Sequence, residues 1–412
     1  MVILVTAYPR EKMGNRIGRI EKRTAGWAVR KKTGRNEDMN EMAWANEVSE
    51  KIKKKVRKVA ERSCHKIPFT TENGVHSDES NPQRICWWTN GFWGGMMWQL
   101  YNATQDPIYK EAAEWSEEKL DGALMNAAGM DHDSGFRWLP TAGANYRLTK
   151  NPESLNRIRL AADNFAGRFN YAGKFFRAWN NWDETDRTGW AIIDCMMNLP
   201  LLYWMAKELK DPRYDQIARM HADTAMKHFI RENGSSKHII CFDPATGEYL
   251  RSLGGQGYGV GSSWTRGQSW ALYGFTLSYM HTKDENYLET AKKCAEYFIS
   301  NIPEDGLIPV DFDQPADCTW KDCTAAAIAS CGLLELEKLV DKEAAKKYHD
   351  AAIRMLKALD EKDCNWDENA DNLLEKCTGA YHDQRHEYPI IYGDYYFVEA
   401  IWKLTGQELF IW

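Results

Sequence analysis

The sequence predicts an all-α protein, an (α/α)6 barrel that forms a single domain, and two observations lead to this prediction. Helical segments that are apolar nearly all round alternate with segments that have one polar face. The first kind is typical of buried helices and the second of helices at the surface. A short polar turn joins the two kinds, so they pair as hairpins. Six buried and six surface helices in a ring make a closed barrel.

The turns between paired helices share one signal. An Asp or Asn side chain can accept hydrogen bonds from the free N–H groups of the next helix, and Pro is tolerated at its first position. These turns are Gln105–Pro107, Lys150–Pro152, Lys210–Pro212, Lys283–Glu285 and Val340–Lys342. The predicted buried helices are Gly91–Thr104, Phe136–Thr149, Ile192–Glu208, Trp264–Thr282, Ala325–Leu339 and Gly393–Leu404. The predicted surface helices are Glu47–Arg62, Tyr109–Leu120, Leu155–Phe169, Tyr214–His228, Tyr287–Ile299 and Ala344–Leu359. An open helical solenoid is the alternative, and the chain lacks the capping repeats that it needs.

The chain divides into two parts by its charge pattern. Ten lysines and arginines fall between residues 10 and 35, and the helical pattern starts after them. We expect residues 1–42 to form a basic, poorly packed extension and residues 43–412 to form the barrel. A nucleic-acid arm is the alternative for the extension. The apolar run Val2–Val5 is too short for a signal peptide.

The overall composition excludes several classes of function. The chain has 412 residues, of which 43% are hydrophobic and 27% charged, as expected of a soluble globular protein. No apolar run approaches the roughly 20 residues that cross a bilayer. The net charge of -6 argues against nucleic acid as a partner. Ten cysteines without metal-binding spacing favour a reducing compartment, the bacterial cytoplasm, with the periplasm as the alternative.

Aromatic and polar side chains gather at the starts of the predicted buried helices. In a ring of hairpins these starts face the same end of the barrel, where a ligand pocket is expected. The chain has 18 tryptophans, and flat indole rings can stack on the apolar faces of sugar rings. The gathered residues include Trp87, Asn90, His132, Asp133, Trp179, Asp194, His238, Gln256, Trp264, Arg266 and Trp270.

Two aspartates in this group are candidates for chemistry. Asp194 interrupts the apolar run Trp190–Met197, where a charge is costly unless it has a partner or a function. Burial raises the pKa of a carboxyl group, as a general acid near neutral pH requires. Asp133 precedes a helix, so it is either a helix cap or a second functional carboxylate.

Other motifs do not point to a cofactor or a metal. The alternating glycines Gly255–Gly261 have no βαβ context, so they do not indicate dinucleotide binding. His382 and His386 have zinc-like spacing but no accompanying Glu. The run Asp363–Asp367 starts like a calcium loop, and the residues that should complete the loop are absent. We therefore expect no metal and no cofactor.

Several stretches together resemble the unsaturated glucuronyl hydrolases, glycoside hydrolase family 88. The resemblance extends from about residue 46 to the C-terminus. The stretches are Trp88–Trp93, His132–Phe136, Ile193–Leu199, Ser263–Gln268 and Tyr392–Tyr396. The third and fourth stretches are the most specific.

The resemblance implies an (α/α)6 barrel without a metal and a substrate released by polysaccharide lyases. It implies that Asp194 is the general acid/base and Asp133 a second essential carboxylate. It also implies a substrate site that includes Trp87, Trp179, His238, Gln256, Trp264, Arg266 and Trp270; Asn90 and His132 are added from their position. The loop Asp383–Tyr388 lacks the Ser-x-x-Ser-x-Lys stretch of members that favour sulfated substrates, so the sulfation preference stays open, as does the oligomeric state.

The chemistry implied by this resemblance is hydration of a double bond. Lyase products end in a uronic acid with a C4=C5 double bond, which is an enol ether. A carboxyl group protonates C4, water adds at C5, and the resulting hemiketal opens and releases the aglycone. Arg266 and His238 are the candidates to hold the uronate. The rivals are an unsaturated rhamnogalacturonyl hydrolase acting on pectin or ulvan fragments, an inverting glycosidase, and a carbohydrate-binding scaffold without activity.

Overall fold

The computed structural model describes the backbone from Glu21 onward and the side chains from Met39 onward. The chain divides into two units at Asn46, and the barrel is formed by the second, Glu47–Trp412. Most side chains of the basic extension predicted for residues 1–42 lie outside this description. No helix in the described part of the chain is long and apolar enough to cross a membrane.

Twelve helices form the barrel, with surface and buried helices alternating along the chain. The surface helices are α1 (Glu21–Ser63), α3 (Pro107–Lys119), α5 (Pro152–Ala166), α7 (Pro212–His228), α9 (Glu285–Ser300) and α11 (Lys342–Lys362). Only the part of α1 from Glu47 onward belongs to the barrel. The buried helices are α2 (Phe92–Thr104), α4 (Ser134–Trp138, Leu139–Gly143 and Ala144–Thr149), α6 (Leu199–Leu209), α8 (Thr265–Thr282), α10 (Cys323–Leu336) and α12 (Ile391–Thr405). The middle segment of α4 is a π-turn.

The six buried helices form a closed ring. Each contacts the next in chain order, from α2 through α4, α6, α8 and α10 to α12, and α12 contacts α2. Each surface helix from α3 to α11 follows a buried helix and packs against it. This closed ring is the (α/α)6 barrel predicted from the sequence, and it excludes the open solenoid.

The five predicted turns begin their helices as expected. Each Asp or Asn side chain accepts a hydrogen bond from the backbone N–H two residues later. In four of the turns the preceding residue is left-handed, with φ between 54° and 60°, and closes the buried helix. One short sequence therefore ends one helix and starts the next.

The third buried helix begins later than predicted. Two short hairpins come earlier in the chain: β1 (Thr71–Glu72) pairs with β2 (Val75–His76), and β3 (Phe169–Asn170) pairs with β4 (Phe175–Phe176). Residues Trp190–Ile192 are a strand, β5, and Ile193–Met197 form a 3-10 turn, so α6 begins only at Leu199. Pro200 fits the first turn of a helix, where no N–H is needed. Strand β5 pairs with β6 (Ile239–Phe242), which pairs with β7 (Tyr249–Leu253). The prediction of helix from Ile192 was wrong because the backbone of β5 pairs with β6 in this sheet.

Aromatic side chains fill the middle of the ring. The ring of Phe136 lies 5.1 Å from that of Trp270 and 5.4 Å from that of Phe92. Tyr396 stacks on Trp412 with ring centroids 5.9 Å apart. All five side chains are fully buried. This packed layer gives the helix starts a rigid base.

Close contact between α2 and α4 depends on Gly91. A Cβ atom at this position would lie 2.2 Å from the carbonyl oxygen of Phe136. We expect Gly91→Ala to lower the free energy of unfolding by about 1–3 kcal/mol, because backbone atoms must move to admit the methyl group. Urea unfolding measures this loss. Gly261→Ala is the control, since a Cβ atom there meets nothing within 4 Å. Equal stability of both variants would contradict the close approach.

Candidate active site

A cavity of about 500 Å³ opens at the end of the barrel where the buried helices begin. This volume lies in the usual range for small-molecule sites. Four residues predicted for the site line it: Trp87, Asp133, Trp179 and Gln256. The other lining residues are Trp88, Ala128, Gly129, Asp131, Asn180, Asn181 and Trp182. Indole rings and amide and carboxylate groups dominate this wall, as a sugar site requires.

Asp133 contributes a buried carboxyl group to the cavity wall. It precedes the first segment of α4, but its side chain does not cap that helix. Burial raises its pKa well above the usual range, and the nearby charges of Asp131 and Asp194 add to this effect. The side chain is thus free of a structural role at the helix end and holds a proton more tightly than an exposed aspartate.

Asp194 lies in the 3-10 turn before α6. The residue is 8% exposed, and it does not belong to the lining of the cavity. Its Oδ1 atom is buried and has no hydrogen-bond partner. Burial raises its pKa to about 7, against the opposing charge of Arg266. A carboxyl group with this pKa can donate a proton near neutral pH.

Asn198 connects the two aspartates. Its Nδ2 group lies 3.1 Å from Oδ1 of Asp133 and 3.4 Å from the backbone oxygen of Asp194, and it donates to both. Its Oδ1 atom accepts a hydrogen bond from the backbone N–H of Phe136 at 2.9 Å. The sequence analysis did not select this residue as part of the site. The amide fixes the start of α4 relative to the turn that carries Asp194.

His238 faces Asp194 as a neutral ring. Its Nε2 atom lies 3.7 Å from Oδ1 of Asp194, and its Nδ1 atom accepts a hydrogen bond from the backbone N–H of Gln256. Nε2 therefore carries the proton of the neutral ring. Burial and the charge of Arg266 lower the pKa of His238 to about 3. A neutral ring does not hold Asp194 in its ionised form.

His132 is also buried and uncharged. It is fully buried, and burial lowers its pKa to about 3. Its Nε2 atom is 3.4 Å from Oδ1 of Asp133. The ring thus lies beside the second carboxyl group, although it does not line the cavity.

Arg266, predicted to hold the uronate, has several partners within the protein. Its guanidinium group pairs with Asp322 at 2.5 Å and donates to the carbonyl oxygens of Thr378 and Gly379. Only 1% of the residue is exposed. The group already has these partners, and its contact with a uronate stays a prediction. It stacks on Trp264, 4.5 Å from the ring centroid, and supports that side of the site.

Two further predicted ligands also lie outside the cavity. Asn90 is fully buried, and its amide donates to the backbone oxygens of Arg84 and Ile85. It thereby holds the loop that carries Trp87. Trp270 is fully buried among the central rings of the barrel. Neither side chain lines the cavity, and substrate contact by these two residues stays a prediction.

Asp131 also lines the cavity, and it forms an ion pair with a buried arginine. Arg137, fully buried, contacts Asp131 at 2.6 Å. Although burial opposes ionisation, the charge of Arg137 and the hydrogen bond from the backbone N–H of Asp133 hold the pKa of Asp131 below its usual range. The sequence could have indicated this ion pair, because Asp131 lies only two residues from the candidate acid Asp133 and an arginine follows at position 137.

One group of potential metal ligands occurs among the described residues. It consists of Cys64, His65 and Glu111, whose ligand atoms lie within 4.8 Å of one another. His65 and Glu111 are exposed, and none of the three lines the cavity. This group is separate from the two aspartates.

Comparisons with known proteins identify relatives over most of the chain. The family model for Glycosyl Hydrolase Family 88 matches residues 59–412. An unsaturated glucuronyl hydrolase from Bacillus sp. (strain GL1) is 35% identical over 334 residues, which cover 79% of this chain and 88% of the relative. An unsaturated chondroitin disaccharide hydrolase from Streptococcus pneumoniae (strain ATCC BAA-255 / R6) is 33% identical and covers 79% and 83%. The crystal structure of unsaturated glucuronyl hydrolase from Streptococcus agalactiae gives a TM-score of 0.83 at 29% identity, covering 90% of this chain and 94% of that one.

The raised pKa of Asp194 has a consequence for stability. Its carboxyl group titrates at about pH 7 in the folded chain and at about pH 4 in the unfolded chain. The folded chain therefore binds more protons between these values, and its free energy of unfolding falls as the pH rises through this window. Asp194→Asn removes this loss. We expect the variant to gain up to about 4 kcal/mol relative to the parent protein between pH 4 and pH 7.

Urea unfolding at several pH values measures this difference. Glu304→Gln changes an exposed acid and serves as the control. A stability difference between Asp194→Asn and the parent protein that stays constant with pH would mean that the pKa of Asp194 is the same in the folded and the unfolded chain.

Proposed function

The chain belongs to glycosyl hydrolase family 88, and on this premise we propose that it releases the terminal unsaturated glucuronic acid from oligosaccharides produced by polysaccharide lyases. The observation that carries the proposal is Asp194. It is an acid with a pKa of about 7, buried beside a cavity lined by tryptophans. Such a group can donate a proton at neutral pH and accept one afterwards.

The reaction uses the double bond of the substrate. Asp194 donates its proton to C4, and positive charge develops at C5 and the ring oxygen. Water then adds at C5 and returns a proton to the Asp194 carboxylate. The hemiketal formed at C5 opens, and the aglycone leaves from C1. One carboxyl group serves both steps, so the separation rule for two carboxylates in acetal cleavage does not apply.

Asp133 has the supporting role in this scheme. Asn198 donates a hydrogen bond to its Oδ1 atom, which fixes the carboxyl group beside the cavity. When it is ionised, its charge favours the cation that develops at C5. Ionised Asp194 in turn raises the pKa of Asp133, because two buried carboxylates repel each other.

The tryptophans and amides of the cavity provide the sugar contacts. Trp87 and Trp179 offer ring faces for pyranose stacking. Gln256 lines the same wall, and its amide nitrogen bonds the oxygen of Gly379. The neutral ring of His238 lies next to Asp194, and that of His132 lies next to Asp133. In this arrangement the indole faces bind the sugars and the buried acids carry out the proton transfers.

The substrates named for the relatives favour glycosaminoglycan fragments. One relative is an unsaturated chondroitin disaccharide hydrolase and others are unsaturated glucuronyl hydrolases. This supports a glucuronate-terminated substrate over the rhamnogalacturonyl alternative. We further place the enzyme in the bacterial cytoplasm, with the periplasm as the alternative. All ten cysteines are unpaired in the structure, which is the state that a reducing compartment maintains.

Asp194→Asn tests the acid directly. The variant keeps the shape of the side chain and removes the transferable proton. We expect a loss of about 10²–10⁴-fold in kcat. The assay measures the decrease in ultraviolet absorbance as the C4=C5 bond of an unsaturated chondroitin disaccharide is consumed. Binding of the same disaccharide to the variant, measured by calorimetry, controls for an intact site. Full activity in the variant would remove Asp194 from the mechanism.

Turnover in heavy water tests the mechanism separately. Hydration of the double bond delivers one solvent deuterium to C4 of the released sugar, whereas acetal cleavage at C1 leaves C4 unchanged. We expect one deuterium at C4, detected by mass spectrometry and NMR of the product. A product without it would favour the inverting glycosidase, even with an essential Asp194.

The domain boundary gives a further test. We propose that residues 43–412 contain the whole catalytic domain. Removal of residues 1–42 should leave kcat/KM for the disaccharide within about twofold, because the cavity residues all lie beyond residue 86. Loss of activity in a folded truncated chain would place part of the site in the extension.

A further inference from the structure

The outer part of the cavity carries an aromatic side chain that the proposed reaction does not use. Trp182 lines the cavity, and 66% of the residue is exposed. Among the residues whose side chains the structure describes, no other tryptophan is so exposed. An indole ring exposed to water lacks the favourable free energy of burial. A fixed, exposed ring at the mouth of a cavity therefore indicates a ligand-binding role.

Trp182 is held in place from one side. The guanidinium carbon of Arg187 lies 3.6 Å from the centroid of the indole ring, so the two planes are in contact. Arg187 is itself nearly buried, with 6% exposure. One face of the indole is therefore covered by a cation, and the exposure of the residue belongs to the other face and the edges.

The short loop around Arg187 fixes this pair. The guanidinium group binds both carboxylate oxygens of Asp183, at 2.7 and 2.8 Å. The backbone N–H of Arg187 donates to Oδ1 of Asn181 at 2.9 Å. A bidentate pair and a backbone bond restrict the loop on both sides of Trp182. The ring is thus pre-oriented, which lowers the entropy cost of binding a ligand to it.

Trp182 continues the row of rings that starts deeper in the cavity. Its ring centroid lies 5.8 Å from that of Trp179, at an interplanar angle of 66°. Trp179 packs against the buried cluster formed by Ala178, Ile192, Ile239 and Cys241. The two rings therefore present differently oriented faces to the same cavity, next to each other.

We propose that Trp182, backed by Arg187, is a binding platform for a sugar beyond the first one that follows the unsaturated uronic acid. This inference rests on the proposed function. The ligand is the pyranose ring of a longer lyase product, a trisaccharide or tetrasaccharide, bound by contact of its apolar face with the indole. The enzyme then selects substrates by length as well as by their unsaturated end.

Kinetics with substrates of two lengths test the platform. The probes are the unsaturated disaccharide and tetrasaccharide that a lyase releases from unsulfated chondroitin. For Trp182→Ala we expect the ratio of kcat/KM for tetrasaccharide over disaccharide to fall about three- to tenfold, the range of a single aromatic contact. The fall should come from KM, because the contact exists before and during the chemical step. Trp182→Phe should restore part of the ratio.

Tyr171→Ala is the matched control, because Tyr171 is an aromatic residue with 76% exposure that does not line the cavity. It should leave the ratio unchanged. An unchanged ratio in Trp182→Ala would overturn the platform. If the ratio stayed unchanged because kcat/KM fell equally for both substrates, Trp182 would contact the first sugar instead.

Binding separates this proposal from the proposed function. If the parent protein turns over neither substrate, quenching of tryptophan fluorescence by a saturated chondroitin tetrasaccharide still reports on the platform. Weaker binding in Trp182→Ala than in Tyr171→Ala would then support the platform, and equal binding would overturn it.

Discussion

The amide side chain of Asn198 is the contact on which the site depends. It donates to Asp133 and to the backbone of Asp194, and it accepts from the backbone of Phe136. Three polar groups of two buried helix starts are thus satisfied by one residue, away from water. The contact is possible because position 135 is a glycine, where a Cβ atom would lie 2.6 Å from Cα of Asn198. The barrel brings α4 and α6 together, and this amide sets the positions of the two acids.

Burial raises the pKa values of Asp133 and Asp194 although arginines lie nearby, and two of these arginines have carboxylate partners of their own. Arg137 pairs with Asp131, and Arg266 pairs with Asp322. A free guanidinium group beside Asp194 would stabilise its ionised form and lower its pKa. The histidines next to the acids are kept neutral by burial, so they add no positive charge. Desolvation is therefore the largest influence on the pKa of Asp194, and the charge of Arg266 opposes it.

The sequence predicted the barrel well because local rules govern its helices. Turns such as Lys210–Pro212 carry both a helix end and a helix start in three residues, and the structure confirms them. The candidate acid Asp194 was also visible, since a charge within an apolar run is a local signal. The start of α6 was missed because strand β5 is defined by pairing with β6, which lies far along the chain.

The roles of individual site residues were harder to predict, for a related reason. Nothing around Arg266 in the sequence indicates that Asp322 neutralises it, and nothing around Asn198 indicates that Gly135 leaves room for it. Asn90 belongs to a stretch that resembles the family, but such a stretch mixes residues that line the cavity with residues that lie behind them. Only the packing of distant segments separates the two.

The two ends of the site depend on different kinds of structure. The acids lie at the starts of buried helices, where a shift of one backbone atom disturbs the packed ring around them. Trp182 lies on a loop that is stabilised by its own contacts, among Asn181, Asp183 and Arg187. Loops of this kind can change without cost to the core. A barrel of this design can therefore keep its proton chemistry constant while the loop at its mouth changes the length of glycan that it binds.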